Sequence, residues 1–381
     1  MTNSGVLMKS RLKDFFEVLG PSYRIIGPKI ENGVVILAEI KYGDIPAGYR
    51  DSQKPGRYRL SPEKDSQVFS FSSGPDSFKR FLNPPLAELF HFHRFETGLG
   101  ITSPPFSEKG GISETGLPIC FMGIRACDLW ALKLYDRIFP GGRVRDRTYE
   151  SLRRNSLIIA FNCLYPSGNC FCLSTGTGPE VKDTFDVAVT ELKDSFLLEE
   201  GSARGKEILG LLPLGHAGER QSLEKRERIE TCKALFRKSI AADELPEIIF
   251  RNLDHPHWED IARRDLECGN CTQVCPTCFC NTSYDFVYPG GISGEDKCNL
   301  ELSGRRLRKW DSCFSRDFAQ VHGGNFRLSR KARYRHWMAH KLAYMQDQFG
   351  LPGCVGCGRC ITWCPAGIDI TRELEALRPH S

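Results

Sequence analysis

Cys354-Val-Gly-Cys357-Gly-Arg-Cys360-Ile-Thr-Trp-Cys364-Pro365 decides how the C-terminal part of this chain is built. Its thiols follow the spacing C-x2-C-x2-C-x3-C-P, with no position missing. Three closely spaced thiolates can wrap three iron corners of one cubane, and Gly356 and Gly358 let the backbone turn tightly around the sulfides. The fourth cysteine, followed by proline, turns away to ligate a second cluster. Zinc competes for thiolates, but structural zinc sites favour two separated C-x2-C pairs without a trailing Cys-Pro. The motif reads as one half of a pair of 4Fe–4S sites.

The other half lies upstream, in Asp265-Leu-Glu-Cys268-Gly-Asn-Cys271-Thr-Gln-Val-Cys275-Pro276. It matches the same template except at the first slot, where aspartate stands for cysteine. By the exchange rule, Cys354, Cys357, Cys360 and Cys275 hold one cluster, while Cys268, Cys271 and Cys364 hold the other with one iron corner unassigned. Asp265 could fill that corner through a carboxylate oxygen, a harder ligand than thiolate. Cys278 or Cys280 could swing in from beyond the Cys-Pro, or the corner could stay empty and leave a 3Fe–4S cluster. The plainest alternative is that Asp265 only caps the following turn. Asp265 and Cys278 are the favoured candidates, and the sequence does not separate them.

Around these motifs the pattern is helical. Ser329–Phe349 has helical spacing and is stopped by Gly350 and Pro352. His257–Leu266 and Ser222–Ser239 read as charged helices, and Thr371–Leu377 as a short one. Residues 251–381 are therefore expected to be a mainly helical, ferredoxin-like domain carrying two 4Fe–4S clusters. Upstream, Tyr23–Ile26, Val34–Ile40, Leu117–Gly123 and Leu157–Phe161 are strand candidates, and Phe185–Leu192 with Ser195–Glu199 a hairpin. Asp128–Ile138, with Asp128 as N-cap, and Thr148–Arg154 are helix candidates. Residues 1–250 are expected to form a mixed α/β domain, making the chain α+β.

A third site is suggested where predicted strands end. Cys127 follows one strand and Cys163 another, and Cys170 and Cys172 come soon after. Strand ends of an open α/β sheet are where ligands collect, so these four thiols could bind a third 4Fe–4S cluster; buried free cysteines are the plainer reading. The loop Gly176-Thr-Gly178-Pro179 lacks a phosphate-binding pattern and is given no nucleotide role.

Composition agrees with ligand chemistry. The 381 residues are 40% hydrophobic and 26% charged, ordinary for a globular chain of two or three domains. Seventeen cysteines, the first at Cys120, crowd toward the C-terminus, unlike a disulfide framework spread through a fold. No apolar run is long enough to span a bilayer. Met1–Gly20 reads as an amphipathic helix rather than a signal peptide, so a cytoplasmic location is expected. The net charge of +5 is concentrated in two runs, Arg305, Arg306, Arg308 and Lys309, then Arg327, Arg330, Lys331, Arg333, Arg335 and Lys341. No nucleic-acid module surrounds them, so they read either as solvated helix faces or as cations offsetting cluster charge.

Taken in order, RACD (125–128), NCFC (169–172), STGTGPE (174–180), CGNCTQVCPTCFC (268–280), KWDSCF (309–314), HGGNFR (322–327) and CVGCGRCITWCP (354–365) resemble the 4Fe–4S dicluster subunits of multi-subunit oxidoreductases. The likeness is strongest to beta subunits of sulfhydrogenase-type soluble nickel–iron hydrogenases, and weaker to the iron–sulfur subunit of anaerobic sulfite reductase. It spans about residues 117–370. The resemblance implies a non-catalytic electron relay between a flavin-containing, NAD(P)-reactive partner and a catalytic hydrogenase subunit, with an anaerobic sulfite or sulfur reductase as the alternative assembly. It also implies that Cys127, Cys163, Cys170 and Cys172 form a real site and that Cys278 and Cys313 occupy family cysteine positions. Members of the family it resembles usually carry cysteine where this chain has Asp265.

Overall fold

The computed structural model describes residues 4–63, 67–95, 98–102, 116–141, 145–293 and 301–378. In chain order the strands of its two larger sheets are β1 (Ser4–Met8), β2 (Arg24–Glu31), β3 (Val34–Glu39), β4 (Leu86–Phe95), β5 (Gly98–Thr102), β6 (Ile119–Ile124), β7 (Leu157–Phe161), β8 (Val187–Glu191), β9 (Ser195–Glu200), β10 (Gly215–His216), β11 (Asn281–Ser293) and β12 (Glu301–Trp310). The main helices are α1 (Leu12–Leu19), α2 (Ala126–Ile138), α3 (Arg147–Asn155), α4 (Glu219–Ala234), α5 (His257–Arg264), α6 (Arg330–Ala339), α7 (Met345–Phe349) and α8 (Ile370–Ala376).

The eight-stranded sheet runs β10-β1-β9-β8-β7-β6-β2-β3. Its centre, β2, β6, β7 and β8, is parallel, and the flanking pairs are antiparallel. Every residue of β7 (LIIAF) is buried, as expected for a parallel strand covered on both faces. Leu157, Ile159 and Phe161 pack on one face with Phe15, Phe16 and Leu19 of α1, whereas Ile158 and Ala160 face α2 through Leu129, Leu132 and Tyr135. A third core joins α5, α6, α8 and the second cysteine motif, through Trp258, Ile261, Tyr334, Trp337, Ile361 and Leu374. The overall class is α+β, as expected.

Three local expectations give way to tertiary pairing. The segment expected as one N-terminal helix is strand β1 followed by α1, because Val6 pairs with Leu197 and Gly5 meets the side chain of Leu214 too closely for a Cβ. Helix α2 begins at Ala126 with Arg125 as N-cap; Asp128 does not cap it, because its carboxylate is taken by Arg359. The basic run Arg305–Lys309 lies on strand β12, not a helix, and its arginines pair with Glu88, Asp285 and Asp146.

The β11–β12 hairpin joins β4 and β5 in a second sheet ordered β11-β12-β4-β5, so strands from both sides of residue 250 share one sheet. The segment expected as one long helix from Ser329 is α6, a π-turn over His340–Tyr344, then α7, ended by Gly350 at φ 64°. The π-turn carries Lys341, which with Lys79 is one of two buried lysines among the described residues.

Candidate metal centres

The two cysteine motifs repeat the same local structure. Cys268-Gly-Asn-Cys271 and Cys357-Gly-Arg-Cys360 each place a left-handed glycine, Gly269 at φ 68° and Gly358 at φ 73°, before a one-turn helix. The helices Asn270–Gln273 and Arg359–Thr362 lie side by side, and the Asn270 side chain donates to the Trp363 carbonyl.

This pairing brings cysteines of the two motifs together. One pocket is lined by Asp265, Cys268, Cys271 and Cys364, with Cys360, Tyr334 and Trp337 behind them. The fourth cysteine of the second motif thus faces the first motif's pair. Burial pushes the Cys271 thiol well up, and the charges of Asp265, Cys364 and Cys268 add to the shift. Cys275 is brought to the other group: burial raises Cys360, reinforced by Cys354, Cys357 and Cys275. Among the described residues no His, Cys, Asp or Glu set converges tightly enough for a single metal ion.

Asp265 and Cys278 separate in space. The Asp265 Oδ1 accepts from the Glu267 amide at 3.1 Å, while Oδ2 is buried without a hydrogen-bond partner among the described residues. Burial lifts its carboxyl above the usual range. A buried orphan oxygen is costly unless something binds it. Cys278 sits instead against Cys275, and Cys280 against Cys313, neither of them lining the Asp265 pocket.

The Cys275 group carries a cation. Lys341 Nζ donates to Cys275 Sγ at 3.2 Å, to Thr277 Oγ1 at 2.7 Å and to the Gly353 carbonyl at 3.0 Å. Contact with Cys278 lowers Cys275 well below the ordinary thiol range, and Lys341 lowers it further. Of the two basic runs noted in the sequence, only this member reaches a motif thiol.

The N-terminal thiols also assemble. Cys127, Cys163, Cys170 and Cys172 line one pocket, together with Cys357 of the second motif. The strand ends supply the first two, after β6 and β7. The loop bearing the others is clamped onto the second motif: the Phe171 amide donates to the Gly356 carbonyl at 2.7 Å, Asn169 Nδ2 to Thr362 Oγ1 at 2.9 Å, and Thr177 Oγ1 to the Val355 carbonyl at 2.8 Å. A Cβ at Gly356 would stand 2.5 Å from the Cys172 amide nitrogen, so the glycine serves this close approach as well as its own turn. Sequence reading missed Cys232. From α4 it touches Cys163, lowering that thiol to about 6 while its own is pushed up. Cys232 stands alone in a charged helix with no spacing signal, so only the packing of α4 reveals it.

No helix among the described residues is long and apolar enough to cross a membrane. A family model described as a 4Fe-4S dicluster domain matches residues 264–368. Over 259 residues the chain is 33% identical to sulfhydrogenase 2 subunit beta of Pyrococcus furiosus, covering 67% of this chain and 73% of that protein. No solved structure gives a significant match.

Proposed function

The chain belongs to the family of sulfhydrogenase beta subunits, and from that membership we propose that it is the electron relay of a multi-subunit oxidoreductase. Its neighbours would be a flavin-containing, NAD(P)-reactive partner and the catalytic subunit of a soluble nickel–iron hydrogenase. A bound 4Fe–4S cluster supplies one-electron exchange with little change in ligand geometry. The protein supplies the ligands, their burial and the charges around them.

In this reading Cys354, Cys357, Cys360 and Cys275 hold one cluster, and Cys268, Cys271, Cys364 and Asp265 the other. What supports it above all is the pocket shared by Asp265, Cys268, Cys271 and Cys364, together with the buried, unpartnered carboxylate oxygen of Asp265. A third cluster would use Cys163, Cys170 and Cys172 with either Cys127 or Cys232. Cys127 lines the common pocket, whereas the contact with Cys163 favours Cys232. The second motif lies between the outer two sites, since Cys360 lines one pocket and Cys357 the other. Residues 251–381 would then be a helical ferredoxin-like unit interrupted by the β11–β12 hairpin, and residues 1–250 the α/β unit holding the third site.

The test is the anaerobically purified chain. It should carry iron and sulfide in cluster ratio with little zinc, give two or more spectroscopically distinct clusters, and turn over neither hydrogen nor sulfite alone. Appreciable turnover by the lone polypeptide would overturn the relay reading.

A further inference from the structure

We infer that Arg125 is the counter-charge of the N-terminal thiol site, a positioning residue that holds a cluster there at a higher potential than its thiolate ligands alone would set. The inference rests on reading the pocket of Cys127, Cys163, Cys170 and Cys172 as a cluster site. Arg125 lines that same pocket, directly after β6 and as the N-cap of α2. It is only 5% exposed.

Its protein partners are all neutral. Nη1 donates to the Asn162 carbonyl at 3.2 Å, and Nη2 to the carbonyls of Phe69 at 3.1 Å and Phe71 at 3.0 Å. The guanidinium carbon lies 5.7 Å from the centre of the Phe71 ring. Carbonyls satisfy hydrogen bonds without neutralising charge, and a buried cation is costly unless an anion faces it. Among the described residues no carboxylate forms an ion pair with Arg125, because those on the segments it touches are held elsewhere. Asp128 is taken by Arg359 at 2.8 Å and Glu191, which accepts from the Phe69 amide, by Lys9 at 2.8 Å. Asp51 accepts from the Ser72 amide at 2.6 Å and from Gln53 Nε2 at 2.6 Å.

The thiols supply the missing anion. Contact with Cys232 lowers the Cys163 thiol most, burial opposes it, and the Arg125 charge lowers it again, outweighing Asp51. Four thiolates leave a 4Fe–4S cluster net anionic, and reduction adds one more negative charge. A fixed cation in the pocket wall stabilises the reduced form more than the oxidised one, which raises the potential. Asp51 pulls the other way from a partly exposed position, and the charges of Asp128 and Arg359 cancel. The buried guanidinium prevails because its surroundings screen it least.

The experiment is an anaerobic redox titration of the holo-chain, comparing the wild type with Arg125→Gln and Arg125→Lys and following each cluster by electron paramagnetic resonance. Arg125→Gln keeps a side-chain N–H for the carbonyls and removes the charge. It should lower the reduction equilibrium constant of the N-terminal cluster about tenfold, 59 mV for one electron, and leave the two C-terminal clusters unmoved. Arg125→Lys keeps the charge and should recover most of that loss. An unchanged potential in Arg125→Gln would overturn the proposal. Equal falls in both variants would also overturn it, because the guanidinium would then act only as a clamp between residues 69–71 and Asn162. If Arg125→Gln fails to fold or to retain the N-terminal cluster, Arg125→Lys decides: retention there supports the charge role, and loss in both variants overturns it. A wild type without a third cluster signal would overturn the underlying site reading, and this proposal with it.

Discussion

Arg359 and Asp128, 231 positions apart, form a two-pronged ion pair at 2.8 and 2.9 Å with side chains 1% and 3% exposed. The guanidinium also donates to the Gly74 carbonyl at 2.9 Å. The pair ties the second cysteine motif to helix α2, beside Cys127 and Cys357. Removing one partner strands a buried charge, so Arg359→Met or Asp128→Asn should each cost about 3–5 kcal/mol of stability. The double variant Asp128→Asn/Arg359→Met should recover much of that loss. Anaerobic denaturant titration of the four proteins checks the cycle.

Asp265 supplies the sharpest prediction about ligation. A carboxylate corner binds iron less firmly than thiolate, so the cluster of Cys268 and Cys271 should lose one iron on brief ferricyanide treatment. The oxidised three-iron signal in electron paramagnetic resonance reports it, and Asp265→Cys should abolish it. If the wild type gives no such signal and Asp265→Ala matches it, Asp265 is no ligand.

Exchange of the fourth cysteine is testable by a single change. Cys364→Ser should damage the cluster of Cys268 and Cys271 and spare that of Cys354, Cys357 and Cys360. Selective loss of the second signal in its place would refute the crossed assignment.

Lys341 should set the potential of the Cys275 cluster. A buried ammonium donating to a ligand sulfur stabilises the more negative, reduced state. Lys341→Met should therefore lower the midpoint potential of that cluster, read by redox titration, and leave the Cys268 cluster nearly unmoved. Lys341→Arg should retain part of the effect. Equal shifts in both clusters would mean a general structural disturbance.

His336 gives the fold a defined acid sensitivity. Burial, with the nearby charges of Arg327 and His340, holds its ring down to about 4 from the usual 6.5. The unfolded chain therefore binds a proton that the folded chain refuses between those values. Its contribution is fully present above pH 6.5 and is lost as pH falls toward 4. For a half-buried ring, this amounts to about 1–2 kcal/mol. His336→Gln should flatten the stability difference between pH 7 and pH 5 by that much, measured by anaerobic denaturation.

The spacing of Cys354, Cys357, Cys360, Cys364 and Pro365 is local information, and it was legible because a cubane demands several ligands from one short turn. The same holds for β7, whose unbroken LIIAF run has no soluble alternative to double-sided burial. The first hundred residues were legible only in pieces. Strand β1 exists because β9 pairs with it, and the β11–β12 hairpin because β4 completes its sheet.

Residue type and spacing alone, over a dozen positions, carry the two repeated cysteine motifs and the departure at Asp265. The tertiary structure decided which groups meet: Asp265 with Cys364 while Cys278 turns to Cys275, Cys232 with Cys163, Lys341 with Cys275, and Arg359 with Asp128. Each meeting joins segments from different elements, and none is favoured by local backbone preference. Only the packing of the whole core, in which a buried charge or orphan oxygen must find its partner, fixes them.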